Sequence, residues 1–335
     1  MTPVVSRAAL ALVLLSPLAL TGCTTSAGQD RAAASAPSTT VSHPVEVTNC
    51  GRTLRFEQAP TRIVSGWPTS TELLIELGAQ QRVVGKYNTA SATPQARYAD
   101  AYQQIPTLGE GAPSREQLIA ARPDLIWADG SYLFDGRQLP TIAELAAQGT
   151  QVMILSGFCD ENATAAKIRD VDTDLAALGA ILGLPDRTAA LRADIDRRLA
   201  GAASAATAGS VGAEPVPVAF LGTYEKSLLT FEGVYTDIAQ LAGARNLYSQ
   251  TLPIGRYYGE ISREHVIRTD PTTIVYLLNS DESEQAAGQY LSTALPTVAA
   301  VRNNRIIYLP QAASTNLAGV DAVVHLATAL HPRPA

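Results

Sequence analysis

Short apolar runs alternate along this chain with segments whose apolar residues recur at helical spacing. That alternation is the pattern of a parallel α/β protein. Arg62-Ile63-Val64-Ser65 predicts a strand, residues 69–77 a helix stopped at Gly78, and Arg82-Val83-Val84-Gly85 a short strand. Residues 113–121 predict a helix with Ser114 as N-cap and Gln117 at capping-box spacing. A strand at 124–128, a helix at 141–147 and a strand at 151–155 continue the order. Residues 163–182 carry Ile168, Val171, Leu175, Leu178 and Leu182 on one helical face. Gly183 and Pro185 interrupt that face, and a second helix follows from 186 to about 203. Residues 204–217 are rich in Ala, Gly and Pro and predict a connection. A strand at 216–221 opens a second run of the same kind, through strands at 274–278 and 306–309, to a last helix at about 317–330. Upstream, Val45-Glu46-Val47 and Thr53-Leu54-Arg55-Phe56 alternate around Asn49-Cys50-Gly51 and predict a hairpin.

The two runs share landmarks. Ser114-Arg115-Glu116 is followed by Pro123 and then Leu125-Ile126-Trp127; Ser262-Arg263-Glu264 is followed at the same interval by Pro271 and then Ile274-Val275-Tyr276. The segment at 72–79 is echoed, ahead of the second motif, by that at 237–244. Two lobes of related build, with a functional site between them, account for this order. One long helix between the lobes would act as a spine, and the pattern leaves open which of the two central helices serves. Glu116 and Glu264 sit in helix first turns, where the dipole alone favours an acid. Their matched placement adds a second expectation: one exposed carboxylate per lobe, able to grip a symmetric basic partner.

Charge and composition narrow the class. The net charge of -6 carries no basic patch of the kind nucleic acid requires. Arg7 precedes an apolar stretch at 8–20 that is short for a membrane span and ends in Leu20-Thr21-Gly22-Cys23. This order resembles a bacterial lipobox, with Cys23 lipidated as the mature N-terminus; an ordinary signal peptide with an incidental cysteine is the alternative. The polar, aperiodic residues that follow read as a tether. Cys50 and Cys159 then remain, and an oxidising compartment makes a disulfide their default, with a reactive thiol as the alternative.

Loops at strand C-termini line the cleft of such a protein. Aromatic residues make up only 6% of the chain, yet most of these loops carry one. Trp67, Tyr87, Tyr132, Phe134, Tyr224, Tyr257 and Tyr258 are expected to line the cleft with Asn279, and Arg256 to pair with an anionic ligand group. Hydrolase elbows, phosphate loops and His-Glu-x-x-His are missing from the sequence, and the four histidines show no ligand spacing. No enzyme, resident cofactor or protein-held metal is expected.

Between residues 45 and 330 the chain resembles the substrate-binding lipoproteins of ABC importers for iron-siderophore complexes, haem and cobalamin. The resemblance is carried by Ala59-Pro60-Thr61-Arg62-Ile63-Val64, by Pro113-Ser114-Arg115-Glu116 through Arg122-Pro123-Asp124, by Gly243-Ala244-Arg245-Asn246, and by Ile261-Ser262-Arg263-Glu264 through Asp270-Pro271. Thr272-Thr273 departs from the usual Asp-Val type pair after that proline. The resemblance implies an α/β fold of two Rossmann-like lobes joined by a long backbone helix, the class III periplasmic-binding-protein fold, with little hinge motion. It implies docking of Glu116 and Glu264 on arginines of a dimeric permease that works with its ATPase. The expected organisation is a lipoprotein signal peptide at 1–22, a tether at 23–43, an N-terminal lobe at 44–160, connecting helices and linker at 161–210, and a C-terminal lobe at 211–331. The expected function is capture of a ferric siderophore by a monomer lipid-anchored outside the cytoplasm, with haem, cobalamin or a sensing role as alternatives. The cleft loops follow no fixed family motif, so ligand identity does not carry over.

Overall fold

The computed structural model describes residues 42–159, 163–207, 214–225, 227–253 and 255–332. The signal-peptide, Cys23 and most of the tether expectations lie outside them. Among the described residues no helix is long and apolar enough to cross a membrane.

The hairpin β1 (Val45–Asn49) and β2 (Arg52–Phe56) opens the chain. The first lobe follows as β3 (Ile63–Ser65), α1 (Pro68–Glu76), β4 (Val83–Lys86), α2 (Ala99–Gln103), α3 (Arg115–Ala120), β5 (Leu125–Ala128), α4 (Ile142–Ala147) and β6 (Gln151–Ile154). Its strands form a parallel sheet in the order β4-β3-β5-β6. The connection is α5 (Asp170–Leu182) and α6 (Pro185–Thr207). The second lobe comprises β7 (Val216–Tyr224), β8 (Ser227–Phe231), α7 (Val234–Leu241), β9 (Ala244–Asn246), β10 (Tyr258–Glu260), α8 (Arg263–Thr269), β11 (Ile274–Leu278), α9 (Glu284–Ala294), α10 (Ala299–Arg302), β12 (Ile306–Pro310) and α11 (Leu317–Leu330). Here β7, β11 and β12 are parallel, β8 and β10 are antiparallel additions, and β9 pairs with the start of β7.

Strand residues alternate between two cores, as the pleat requires. Leu125 and Trp127 of β5 face a core that runs on through Leu175 and Leu178 of α5, Ile195 and Leu199 of α6, Phe220 and Leu277 of the second sheet, and Val320 and Val323 of α11. Ile126 and Ala128 face a separate outer core of the first lobe, and Tyr276 and Ile274 one of the second. Burial on both faces explains why these strands are unbroken apolar runs. The shared central core welds the lobes, because sliding one on the other would open apolar surface.

The spine is α6. Its 23 residues span roughly 34 Å and pack against α5 on one side and α7 and α11 on the other. It runs to Thr207, past the predicted end, while α5 begins at Asp170 rather than 163. The reason for the late start is tertiary. The Ile168 amide donates to the Asp237 carboxylate at 2.8 Å, and Lys167 lies 3.3 Å from its other oxygen, which pulls that segment out of helix. Gly183 ends α5 at φ +69°, a left-handed position that suits glycine.

One buried acid gives the fold a testable pH response. Asp174 on α5 is fully buried and accepts hydrogen bonds from the Ser156 amide and hydroxyl. Burial pushes its carboxyl up to about 7. The folded state therefore holds a proton that the unfolded chain releases near pH 4, so stability from this group is full at low pH and is lost as pH rises through about 7. Asp174→Asn should flatten that dependence, worth roughly 2–4 kcal/mol between about pH 5 and pH 8. Thermal melts of both proteins across that range check it; parallel curves would refute it.

Candidate ligand cleft

Loops at the C-terminal ends of both sheets meet around a cavity of about 710 Å³. The first lobe contributes Trp67 after β3, Asp129 and Tyr132 after β5, and Phe158 after β6. The second contributes Tyr224 at the end of β7, Tyr235 on α7, Tyr257 and Tyr258 at β10, and Asn279 after β11. Phe158 meets Tyr257 edge-on across the lobe boundary, with centroids 5.7 Å apart, and Tyr257 meets Tyr258 at 5.1 Å. This continuous run of rings crosses from one lobe to the other. At the rim, Thr93 donates to the Ser280 carbonyl at 2.9 Å, and the Ser280 hydroxyl donates to the Ala90 carbonyl at 2.7 Å.

The loop that carries Tyr257 and Tyr258 is held by a residue that the sequence pattern does not single out. Glu232 accepts hydrogen bonds from the amides of Gln250, Thr251 and Leu252, and its own amide donates to the Tyr257 carbonyl at 2.7 Å. Asn279 is fixed in the wall by donation to the Thr223 carbonyl at 3.0 Å.

Trp67, Tyr132, Tyr224, Tyr257, Tyr258 and Asn279 thus come together, and three expected residues do not. Tyr87 is completely buried beneath Gly66, where a Cβ would come 2.4 Å from the tyrosine hydroxyl. Phe134 is 6% exposed and packs with Leu133, Leu139 and Tyr87 in the outer core of the first lobe. Both rings follow strands but pack in the outer core of the first lobe, with Val64, Ile126 and Ile154 of its sheet, rather than in the cleft. Arg256 is exposed and outside the lining; its amide closes a turn onto the Pro253 carbonyl.

Asp129, like Phe158 and Tyr235, lines the cavity without having been expected there. It stands directly after the buried strand β5. Its Oδ2 accepts from the Tyr132 hydroxyl at 2.8 Å, while Oδ1 is buried without a partner from another residue. Burial pushes this carboxyl up to about 6, against the bond from Tyr132, which lowers it. Burial also raises Tyr132 and Tyr257 above the ordinary phenol range, so both present neutral hydroxyls at physiological pH. Among the described residues the lining has no Lys, Arg or His, and no group of His, Cys, Asp and Glu is placed to hold a metal ion.

Away from the cleft, Glu116 and Glu264 are both exposed on α3 and α8. Ser114 forms a full capping box with Gln117, and Ser262 caps α8 through the His265 amide. Ile119 and Ile267 stand three residues after each glutamate and are 46% and 42% exposed. Cys50, in the β1–β2 turn, is bonded to Cys159.

A family model described as periplasmic binding protein matches residues 63–313, most of the chain. The chain belongs to the periplasmic binding protein family. Solved structures of this family share its fold. A periplasmic binding protein from Veillonella parvula aligns at TM-score 0.73 and 22% identity, covering 87% of this chain and 98% of that one. A structure described as an ABC-type Fe3+-hydroxamate transport system from Saccharomonospora viridis aligns at 0.68 and 24%, covering 86% and 99%. A periplasmic haem-binding protein of Vibrio cholerae aligns at 0.62 and 20%, covering 81% and 99%. At these identities the likeness is one of fold, and the two lobes on a helical spine are the class III arrangement. No curated protein matches the chain at a significant level.

Proposed function

We propose that this chain is the extracytoplasmic, lipid-anchored substrate-binding component of an ABC importer, and that it captures a ferric siderophore in the inter-lobe cleft. The observation that carries this reading is the wall of rings contributed by both lobes, with no side-chain set among the described residues to ligate a bare ion. Such a cavity takes an organic chelate whole, on apolar area with polar tips. The similarity to a Fe3+-hydroxamate transport structure supports it. Binding and delivery, without catalysis, are the function.

Haem is the second reading, since Tyr224, exposed at the cleft, offers an axial oxygen. Its propionates, however, would meet Asp129, Glu225 and Asp281 and no basic group of the described lining. Cobalamin, with a phosphodiester, meets the same obstacle.

Fluorescence separates these. Trp67 lines the cleft, whereas Trp127, the other tryptophan, is fully buried in the core. A coloured ferric siderophore is expected to quench Trp67 saturably, and Trp67→Phe to remove most of that response. Saturation by haem or cobalamin alone would replace the siderophore reading, and silence toward every member of the panel would end it.

A further inference from the structure

The charge of the cleft says more than its shape. A ferric complex of three hydroxamates is neutral, because each ligand contributes one negative charge, and an ammonium on the chelator arm makes it a cation. Three catecholates leave the same ion strongly anionic. The described lining offers acids and aromatic faces, and Arg256 is not part of it. Granting that the ligand is a ferric siderophore, we propose that the cleft selects a chelate bearing a cationic group, with Asp129 as its counter-ion among the rings of Tyr132, Tyr257 and Tyr258.

The geometry supports this in four ways. Asp129 lines the cavity, and its Oδ1 is buried without a hydrogen bond to offset its charge, so a cation in the cleft would compensate a carboxylate that the protein leaves under-satisfied. Its other oxygen is fixed by Tyr132, so the carboxylate is oriented before the ligand arrives. Aromatic faces attract a desolvated cation through their quadrupoles, and Tyr258 is 45% exposed to receive one. Glu225 and Asp281 at the same cavity disfavour an anion further.

The test is a Trp67 quenching titration with a linear ferric trihydroxamate ending in a free amine, its N-acetylated neutral counterpart, and a ferric tris-catecholate. The amine form is expected to bind about tenfold tighter than the acetylated form, and the catecholate weakest. Asp129→Asn should bring the two hydroxamates to about equal affinity, and Asp129→Glu, which keeps the charge, should retain the preference. Far-ultraviolet spectra and melting curves establish that each variant folds. The groups that act on Asp129 are the phenols of Tyr132, Tyr87 and Tyr257, which stay neutral in acid. Lowering the pH from about 7.5 to about 5 should therefore weaken only the amine form, as Asp129 takes up its proton. Equal or tighter binding of the acetylated form, or a preference that survives Asp129→Asn, would overturn charge selection while leaving the siderophore reading in place. Quenching by haem or cobalamin with none by any ferric chelate would overturn both.

Discussion

On the proposed function, a protein carrying Glu116→Arg together with Glu264→Arg is expected to bind the ferric siderophore normally and to deliver almost none of it. The two glutamates occupy the same turn of matched helices in the two lobes, and both are exposed. Ser114 and Ser262 hold the N-cap positions, so reversal removes only a first-turn carboxylate from each helix, at a cost of about 0.3–1 kcal/mol apiece that leaves the protein folded. On the proposed docking role each carboxylate meets a basic site on one half of a dimeric permease, and reversal turns two attractions into two repulsions. Uptake of radiolabelled ferric ligand should fall on the order of a hundredfold or more in the double variant, and less in each single one. Ile119→Ser and Ile267→Ser add a second probe. These exposed side chains follow each glutamate by three residues, on the same helical face, where an interface core would cover them. Unchanged uptake in the double glutamate variant would instead favour a sensor that presents its ligand to another partner.

Much of this arrangement is legible in the sequence because it is local. The capping box at Ser114 and the strand-helix alternation rest on residues a few positions apart, and the structure places them as the spacing predicts. The spine is harder to read, because α5 and α6 differ in what they touch rather than in pattern. The antiparallel strands β8 and β10 escape for a similar reason: β10 carries an exposed tyrosine and glutamate and owes its place to β8. In the cleft, a loop aromatic after a strand is equally suited to wall and to cover. Tyr258 became wall by pairing with Phe231 at the edge of the second sheet, and Phe134 became cover by packing with Leu133, Leu139 and Tyr87, contacts that no short window contains. Asp129 carries no local signal beyond its place at the end of a buried strand. Its importance comes from Tyr132 folding back over it and from rings supplied by the other lobe.

Removing the disulfide should weaken both stability and binding, for one structural reason. Cys50 and Cys159 are 109 residues apart, and in the chain-entropy model closing such a loop stabilises the fold by about 4–5 kcal/mol. Cys50→Ser with Cys159→Ser is therefore expected to lower the melting temperature by roughly 10 °C. The hairpin will not detach entirely, because the Asn49 side chain still bonds both the amide and the carbonyl of Ile154 at 2.7 Å. What loosens is the segment after β6. Phe158 directly precedes Cys159, and its ring is the first-lobe end of the run that crosses the cleft to Tyr257. The bond that closes the N-terminal hairpin on the first lobe thus also holds that wall in position. Ligand affinity should fall by a fewfold, roughly the loss of one edge-on ring contact, together with the melting temperature. Reducing the wild-type protein should reproduce both changes, and Phe158→Leu should reproduce the affinity loss alone. If the double serine variant melts as the wild type does, the loop-closure argument fails, and if it binds as tightly, Phe158 is held by its packing rather than by the bond.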